Sequence, residues 1–193
     1  DEREPFFIQF GWSSPNKNKV PNGNTVWKGS KSSLDPNNPV TLSWNNGEGL
    51  KFFHDQYNNG IADSIVCNGT YEPELIKEMK LTLKKGSCFI DGGANIGFFS
   101  LIASKIVGPS GTVLSFEPTP STMKYLRKNI KINKGNNILA SKFGLSSTMS
   151  ESSFLLTNIP EGNSIVSNKK INVESGDKVI KINTTSIDNF CSE

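Results

Sequence analysis

The stretch Asp91-Gly92-Gly93-Ala94-Asn95-Ile96-Gly97, with Glu117 twenty-four residues beyond Gly93, holds the residue types best suited to ligand chemistry in this chain. Glycines at a strand-to-helix turn let backbone approach a ligand closely, and an acidic residue ending the next strand suits the two hydroxyls of a ribose. Both features fit any adenosine cofactor. Asp91 separates the candidates. A dinucleotide sets its pyrophosphate against such a turn and the helix N-terminus behind it, where a carboxylate would repel it. S-adenosylmethionine carries no phosphate and brings an ammonium and a sulfonium instead. The glycines at 92, 93 and 97 also depart from the G-x-G-x-x-G spacing. The residues thus favour adenosylmethionine, while a tight turn with Asp91 capping the helix stays open as the plain structural reading.

The elements that must position these residues are legible on either side. Ser87 to Asp91 reads as a short apolar strand, and a helix follows through Phe98, Phe99, Leu101, Ile102 and Ile106 to Gly108. Thr112 to Phe116 is a second strand ending in Glu117-Pro118, and Ile138 to Phe143 a third. Between them lies a helix with Met123, Leu126 and Ile130 on one side and Lys124, Arg127, Lys128, Lys131 and Lys134 on a solvated face. An earlier helix opens at Glu72-Pro73, carries Leu75, Met79 and Leu83, and is expected to close at Gly86. Strand, glycine turn, helix, strand, helix, strand begins a doubly wound parallel α/β sheet, whose ligands lie at the C-terminal strand ends. After residue 145 the texture turns β-like at 153–157, 170–173 and 179–184.

Residues 1–48 are crowded with Pro, Gly, Asn and Ser and exclude a long helix. Val40, Leu42 and Trp44, then Leu50 and Phe52 beyond Asn45-Asn46-Gly47, predict a hairpin with one apolar face. Trp12, Trp27 and Trp44 are read as packing residues. A net charge of +3 over 193 residues is too small to imply nucleic acid or an anionic membrane as main partner. No apolar run approaches the roughly 20 residues that span a bilayer. Cys67, Cys88 and Cys191 with a single histidine exclude a disulfide framework and a His/Cys zinc cage, so no metal is expected. The sequons at Asn68 and Asn183 are common by chance in so Asn-rich a chain. The sequence opens at Asp1 without a Met, which leaves room for a preceding leader; cytoplasm and secretory pathway both stay open.

Phe89 to Ser100 followed by Phe116-Glu117-Pro118 resembles the FkbM-type methyltransferases, class I enzymes dependent on S-adenosylmethionine that mostly O-methylate sugars or other small hydroxylated substrates. Gly69-Thr70-Tyr71-Glu72, Asn129 and Asn133, Gly144-Leu145-Ser146 and Thr184 to Asp188 are similar to further family stretches, so the likeness runs over about residues 40 to 190. The resemblance implies a Rossmann-like class I methyltransferase sheet over 49–193, with 1–48 as a β/loop extension. It implies that Asp91, Gly93, Asn95 and Gly97 line the methionine end and that Glu117 holds the ribose. Pro118 would shape the adenine edge, Lys142, Phe143 and Gly144 would border the adenine, and Glu72 would reach the ammonium.

Family members continue into a further strand beside the first one, and this sequence stops at Glu193. The expectation is a fragment whose strand at 87–91 lies at an open edge, unless N-terminal β segments or another chain cover it. The expected partner is a small-molecule or glycan acceptor, with homo-oligomerisation left open. His54, Asp55, Asp63 and Glu72 are the available bases, and none is assigned. Two other readings compete: a non-catalytic interaction module retaining a truncated methyltransferase fold, and a nicotinamide oxidoreductase, which Asp91 argues against.

Overall fold

Three apolar runs rich in β-branched and aromatic residues form the centre of the molecule. The computed structural model describes residues 7–10, 40–43, 49–53, 70–157, 163–166 and 176–192, the first two segments as backbone. The central strands are β4 (Cys88–Gly92), β5 (Thr112–Phe116) and β6 (Ile138–Ser141). All are parallel, with Ile90 opposite Leu114 and Leu114 opposite Leu139. The edge beyond β4 is covered: β1 (Phe7–Phe10) pairs with it in parallel, Phe7 opposite Phe89 and Phe10 opposite Gly92. The sheet order is β1-β4-β5-β6. This is a Rossmann-like α/β sheet of the expected class, with its first strand shielded by the N-terminal segment.

Helix α1 (Pro73–Thr82) starts at a proline, which lacks only an N–H that a first turn leaves unpaired anyway. It ends four residues before Gly86, earlier than the sequence pattern predicts. Leu83 is extended (φ −75°, ψ 136°), and the Ser87 hydroxyl accepts the Lys84 N–H at 3.0 Å, which draws the chain out of the helix. Helix α2 (Phe98–Val107) is apolar nearly all round because it is enclosed: Phe98 through Ala103 and Val107 are all buried. Helix α3 (Pro120–Ile132) is amphipathic, with Met123, Leu126 and Asn129 buried and Lys124, Arg127, Lys128, Lys131 and the following Lys134 exposed.

Strands β2 (Val40–Ser43) and β3 (Gly49–Phe52) form the expected hairpin, Leu42 opposite Leu50. Its turn lies outside the described residues, as do Trp12, Trp27, Trp44, Cys67 and Asn68. Leu50 and Phe52 enter the main core with Ile76, Met79, Phe89, Phe98, Leu101 and Val113. The hairpin, α1 and the parallel sheet therefore share one apolar interior. A second cluster on the other face joins Ile90, Leu114 and Phe116 to Phe143, Leu145, Ile187 and Phe190.

Beyond β6 a second sheet runs in the order β7-β10-β8-β9. It comprises β7 (Gly144–Leu145), β8 (Ser150–Leu156), β9 (Ser164–Val166) and β10 (Lys178–Thr185). Asn183 is exposed on β10, and the predicted strand at 170–173 falls outside the described residues. Helix α4 (Ile187–Ser192) closes the second cluster, with Phe190 edge-on to Phe116 at 4.8 Å.

Phe52 is 1% exposed at the heart of this shared interior. Phe52→Ala is expected to destabilise the whole chain by about 3–5 kcal/mol in one cooperative urea transition. A hairpin that melts separately, leaving the midpoint of the main transition in place, would refute the shared core.

Candidate functional site

Parallel strands β4 and β5 end side by side, and the glycine turn rises from the end of β4. Three of its residues have positive φ: Gly93 (78°), Asn95 (50°) and Gly97 (90°). At Gly97 the left-handed backbone disfavours a side chain, and an added Cβ would lie 2.6 Å from Leu126 Cδ1, which would have to shift. The Gly93 and Ala94 N–H groups both donate to the Phe116 carbonyl at 2.9 Å. The turn is thus pinned to the end of β5, while Gly93 itself stays exposed.

Glu117 completes the pinning. Its Oε2 accepts the Asn95 N–H at 3.0 Å and its Oε1 the Thr119 N–H at 2.8 Å, and its own N–H donates to the Ser141 carbonyl. One carboxylate therefore bridges the turn, β5 and the start of α3. It is buried, and burial pushes its pKa up against the lowering effect of those donors. Asn95 is half-buried and its side-chain oxygen accepts the Ile96 N–H at 2.7 Å.

Asp91 is 2% exposed and lies below the turn. Its Oδ2 accepts the Ser100 hydroxyl at 2.5 Å, and Ser100 Oγ in turn accepts the Ser115 hydroxyl at 2.8 Å. Burial raises the Asp91 pKa to about 6; Ser100 opposes the rise and the neighbouring Glu117 charge adds to it. Neither carboxylate is ion-paired to any described residue.

Of the other predicted site residues, some lie away from this centre or outside the described residues. Tyr71 packs on Phe98 and Phe99 with ring centroids 6.4 and 5.9 Å apart, and Glu72 follows it in the chain. Glu72 is half-buried in a left-handed backbone conformation (φ 44°), and desolvation raises its pKa. Pro118 is half-buried after Glu117. Phe143 packs in the cluster of Phe116, on the face of the sheet away from α2, and Lys142 beside it is exposed. His54, Asp55 and Asp63 lie outside the described residues. The sequence pattern assigns no role to Ser100, Ser115 or Thr119. The signal was present for the first two: each is a lone hydroxyl inside an apolar run, Phe-Phe-Ser-Leu-Ile and Val-Leu-Ser-Phe.

A family model described as the methyltransferase FkbM domain matches residues 91–193, more than half of the chain. The chain belongs to the FkbM methyltransferase family. The matched span opens at Asp91 itself, so the weaker likenesses before it, Gly69 to Glu72 among them, lie outside that span. Residues 1–82 match a second model, the YidC periplasmic domain, which the sequence reading did not anticipate.

Curated relatives agree with that second match. The membrane protein insertase YidC of Acidiphilium cryptum (strain JF-5) is 51% identical over 49 residues, 24% of this chain and 8% of that protein. That of Methylorubrum extorquens (strain PA1) is 44% identical over 48 residues, 25% of this chain and 8% of that protein. The chain spans about a tenth of the length of the curated relatives it matches. Among solved structures, a SAM-dependent O-methyltransferase from Thermotoga maritima overlaps at a TM-score of 0.36 and 13% identity, covering 79% of this chain and 94% of that one. M. jannaschii TYW2 in complex with AdoMet overlaps at 0.38 and 25% identity, covering 53% and 42%. Overlaps this low add nothing to the family match.

The FkbM domain carries a cost in Asp91 that can be measured. Its folded pKa, about 6, lies above the ordinary 3.8, so stability linked to this group is complete below pH 3.8 and is lost as pH rises through about 6. At neutral pH the ligand-free fold forfeits about 3 kcal/mol to ionised Asp91. Asp91→Asn keeps an acceptor for Ser100 and is expected to raise the urea midpoint at about pH 7.5, with the gain shrinking towards pH 4. A variant less stable than wild type at neutral pH would contradict this.

Proposed function

We propose that the FkbM domain of this chain binds S-adenosylmethionine at the turn 93–97 and transfers its methyl group to a hydroxyl of a sugar or other small hydroxylated substrate. The observation that carries the reading is the pair of buried carboxylates, Asp91 and Glu117, with no cation among the described residues to neutralise them. A ligand that brings positive charge and hydroxyl donors, and no phosphate, fits that donor set. Each Glu117 oxygen already accepts one backbone N–H and retains a lone pair for a ribose hydroxyl. Asp91 lies at the end of β4, beneath the exposed backbone of Gly93, where a cation would offset its charge.

When bound, S-adenosylmethionine supplies an activated methyl on a sulfonium. The protein's share is to hold the acceptor oxygen in line and to take up the proton that a hydroxyl loses. Glu72, half-buried and next to Tyr71, is the described candidate for contact with the ligand's ammonium. The acceptor itself is read from family resemblance alone, as is its small-molecule or glycan class.

Titration calorimetry with S-adenosylhomocysteine tests the cofactor assignment. Wild type is expected to bind, and Asp91→Asn and Glu117→Ala each to weaken binding by about tenfold or more, the scale of one charged hydrogen-bonding partner. NADH binding, or S-adenosylhomocysteine binding that ignores both substitutions, would overturn the reading.

A further inference from the structure

We propose that Asn129 is a positioning residue for the cofactor turn, holding the Ile96 carbonyl at a place set by the seating of Phe53 on α3. The inference rests on the cofactor reading above and goes beyond it, because it assigns a role in that site to a side chain on α3 and to the N-terminal hairpin.

Asn129 is 0% exposed, and its amide is spent on two separate parts of the chain. Its Oδ1 accepts the Phe53 N–H at 2.6 Å, and its Nδ2 donates to the Phe53 carbonyl at 3.0 Å. The same Nδ2 donates to the Ile96 carbonyl at 2.8 Å. A carboxamide is planar and rigid, so where Phe53 backbone sits fixes where the Ile96 carbonyl can be held. Ile96 is buried and immediately precedes Gly97, the left-handed residue that opens α2. Without Asn129 its carbonyl would lose its side-chain partner in a buried place.

One helical turn on, Asn133 repeats half of this arrangement. Its Oδ1 accepts the Lys51 N–H at 2.9 Å and its Nδ2 donates to the Lys51 carbonyl at 2.7 Å. Four helical residues rise about 6 Å and two strand residues about 6.6 Å, so asparagines at i and i+4 meet alternate residues of an extended strand. The two side chains thus stand in for a neighbouring β-strand. Asn133 has no bond to the glycine turn, which makes it the internal control. Lys51 and Phe53 lie in the part matched by the YidC periplasmic model, and Ile96 and Asn129 in the FkbM part, so Asn129 joins the two.

The test compares Asn129→Ala, the milder Asn129→Ser and Asn133→Ala in the full chain, each confirmed as folded by circular dichroism and urea titration. Amide exchange of Ile96 and Gly97 without ligand reads the linkage, and the S-adenosylhomocysteine Kd reads its consequence. With either Asn129 variant, exchange at the turn is expected to rise and affinity to fall by about tenfold, while amides inside β5 keep their protection. Asn133→Ala is expected to leave both readouts within about twofold of wild type. Rescue is expected to be partial with Ser, which restores one donor. Folded Asn129 variants with unchanged exchange at the turn, or Asn133→Ala matching Asn129→Ala in both readouts, would overturn the proposal. Wild type that takes no S-adenosylhomocysteine would instead reject the cofactor reading, and exchange at Ile96 and Gly97 would still decide the linkage.

Discussion

Two carboxylates buried at the ends of adjacent parallel strands, with donors around them and no counter-ion among the described residues, constrain everything near the turn. Burying a charge is tolerable only where hydrogen bonds replace water, and each acid here is met differently. Glu117 is satisfied by backbone N–H groups of residues 95 and 119, so its ionised form holds the turn to the start of α3. Asp91 is met by the hydroxyl and the backbone N–H of Ser100, with Ser115 donating to that hydroxyl, and its pKa is pushed up to about 6. Burial raises the pKa of both acids against these donors. A cation arriving beside Asp91 would offset its charge.

The same turn is held from below by packing. Leu126 fills the space a side chain at position 97 would need, and Phe98 and Phe99 lead α2 straight into the core. Leu50 and Phe52 of the hairpin lie in that core too. The boundary between the two family matches, at residues 82 to 91, therefore falls inside one hydrophobic interior. In this structure the N-terminal segment adds a strand beside β4, fills part of the core, and reaches the glycine turn through Asn129.

Much of this was legible in the sequence because local rules and tertiary packing agree there. Strand Thr112–Phe116, helix Phe98–Val107 and the hairpin around 40–52 follow from apolar periodicity and glycine or proline punctuation. The Asp-Gly-Gly-Ala-Asn-x-Gly turn with Glu117 was legible because few residue types tolerate its backbone or suit a ribose. The early end of α1 was not, since it depends on the Ser87 hydroxyl reaching back to Lys84. That an N-terminal β segment could cover β4 was legible, but not which residues pair with it, because parallel pairing with residues some eighty positions away leaves no local mark. Nor was the role of Ser100, Ser115 and Asn129, whose partners are set by how the elements meet. The match of residues 1–82 to the YidC periplasmic model leaves no mark in the sequence pattern beyond the Pro- and Asn-rich texture of residues 1–48.

The most direct check is the carboxyl carbon shift of Asp91, followed by NMR through a pH titration with and without S-adenosylhomocysteine. The expected midpoint is about 6 in the free protein, falling by one unit or more when the ligand's ammonium is bound. A midpoint that stays put or rises on saturation would mean that no positive charge comes to rest beside Asp91, and the electrostatic basis of the cofactor assignment would be wrong.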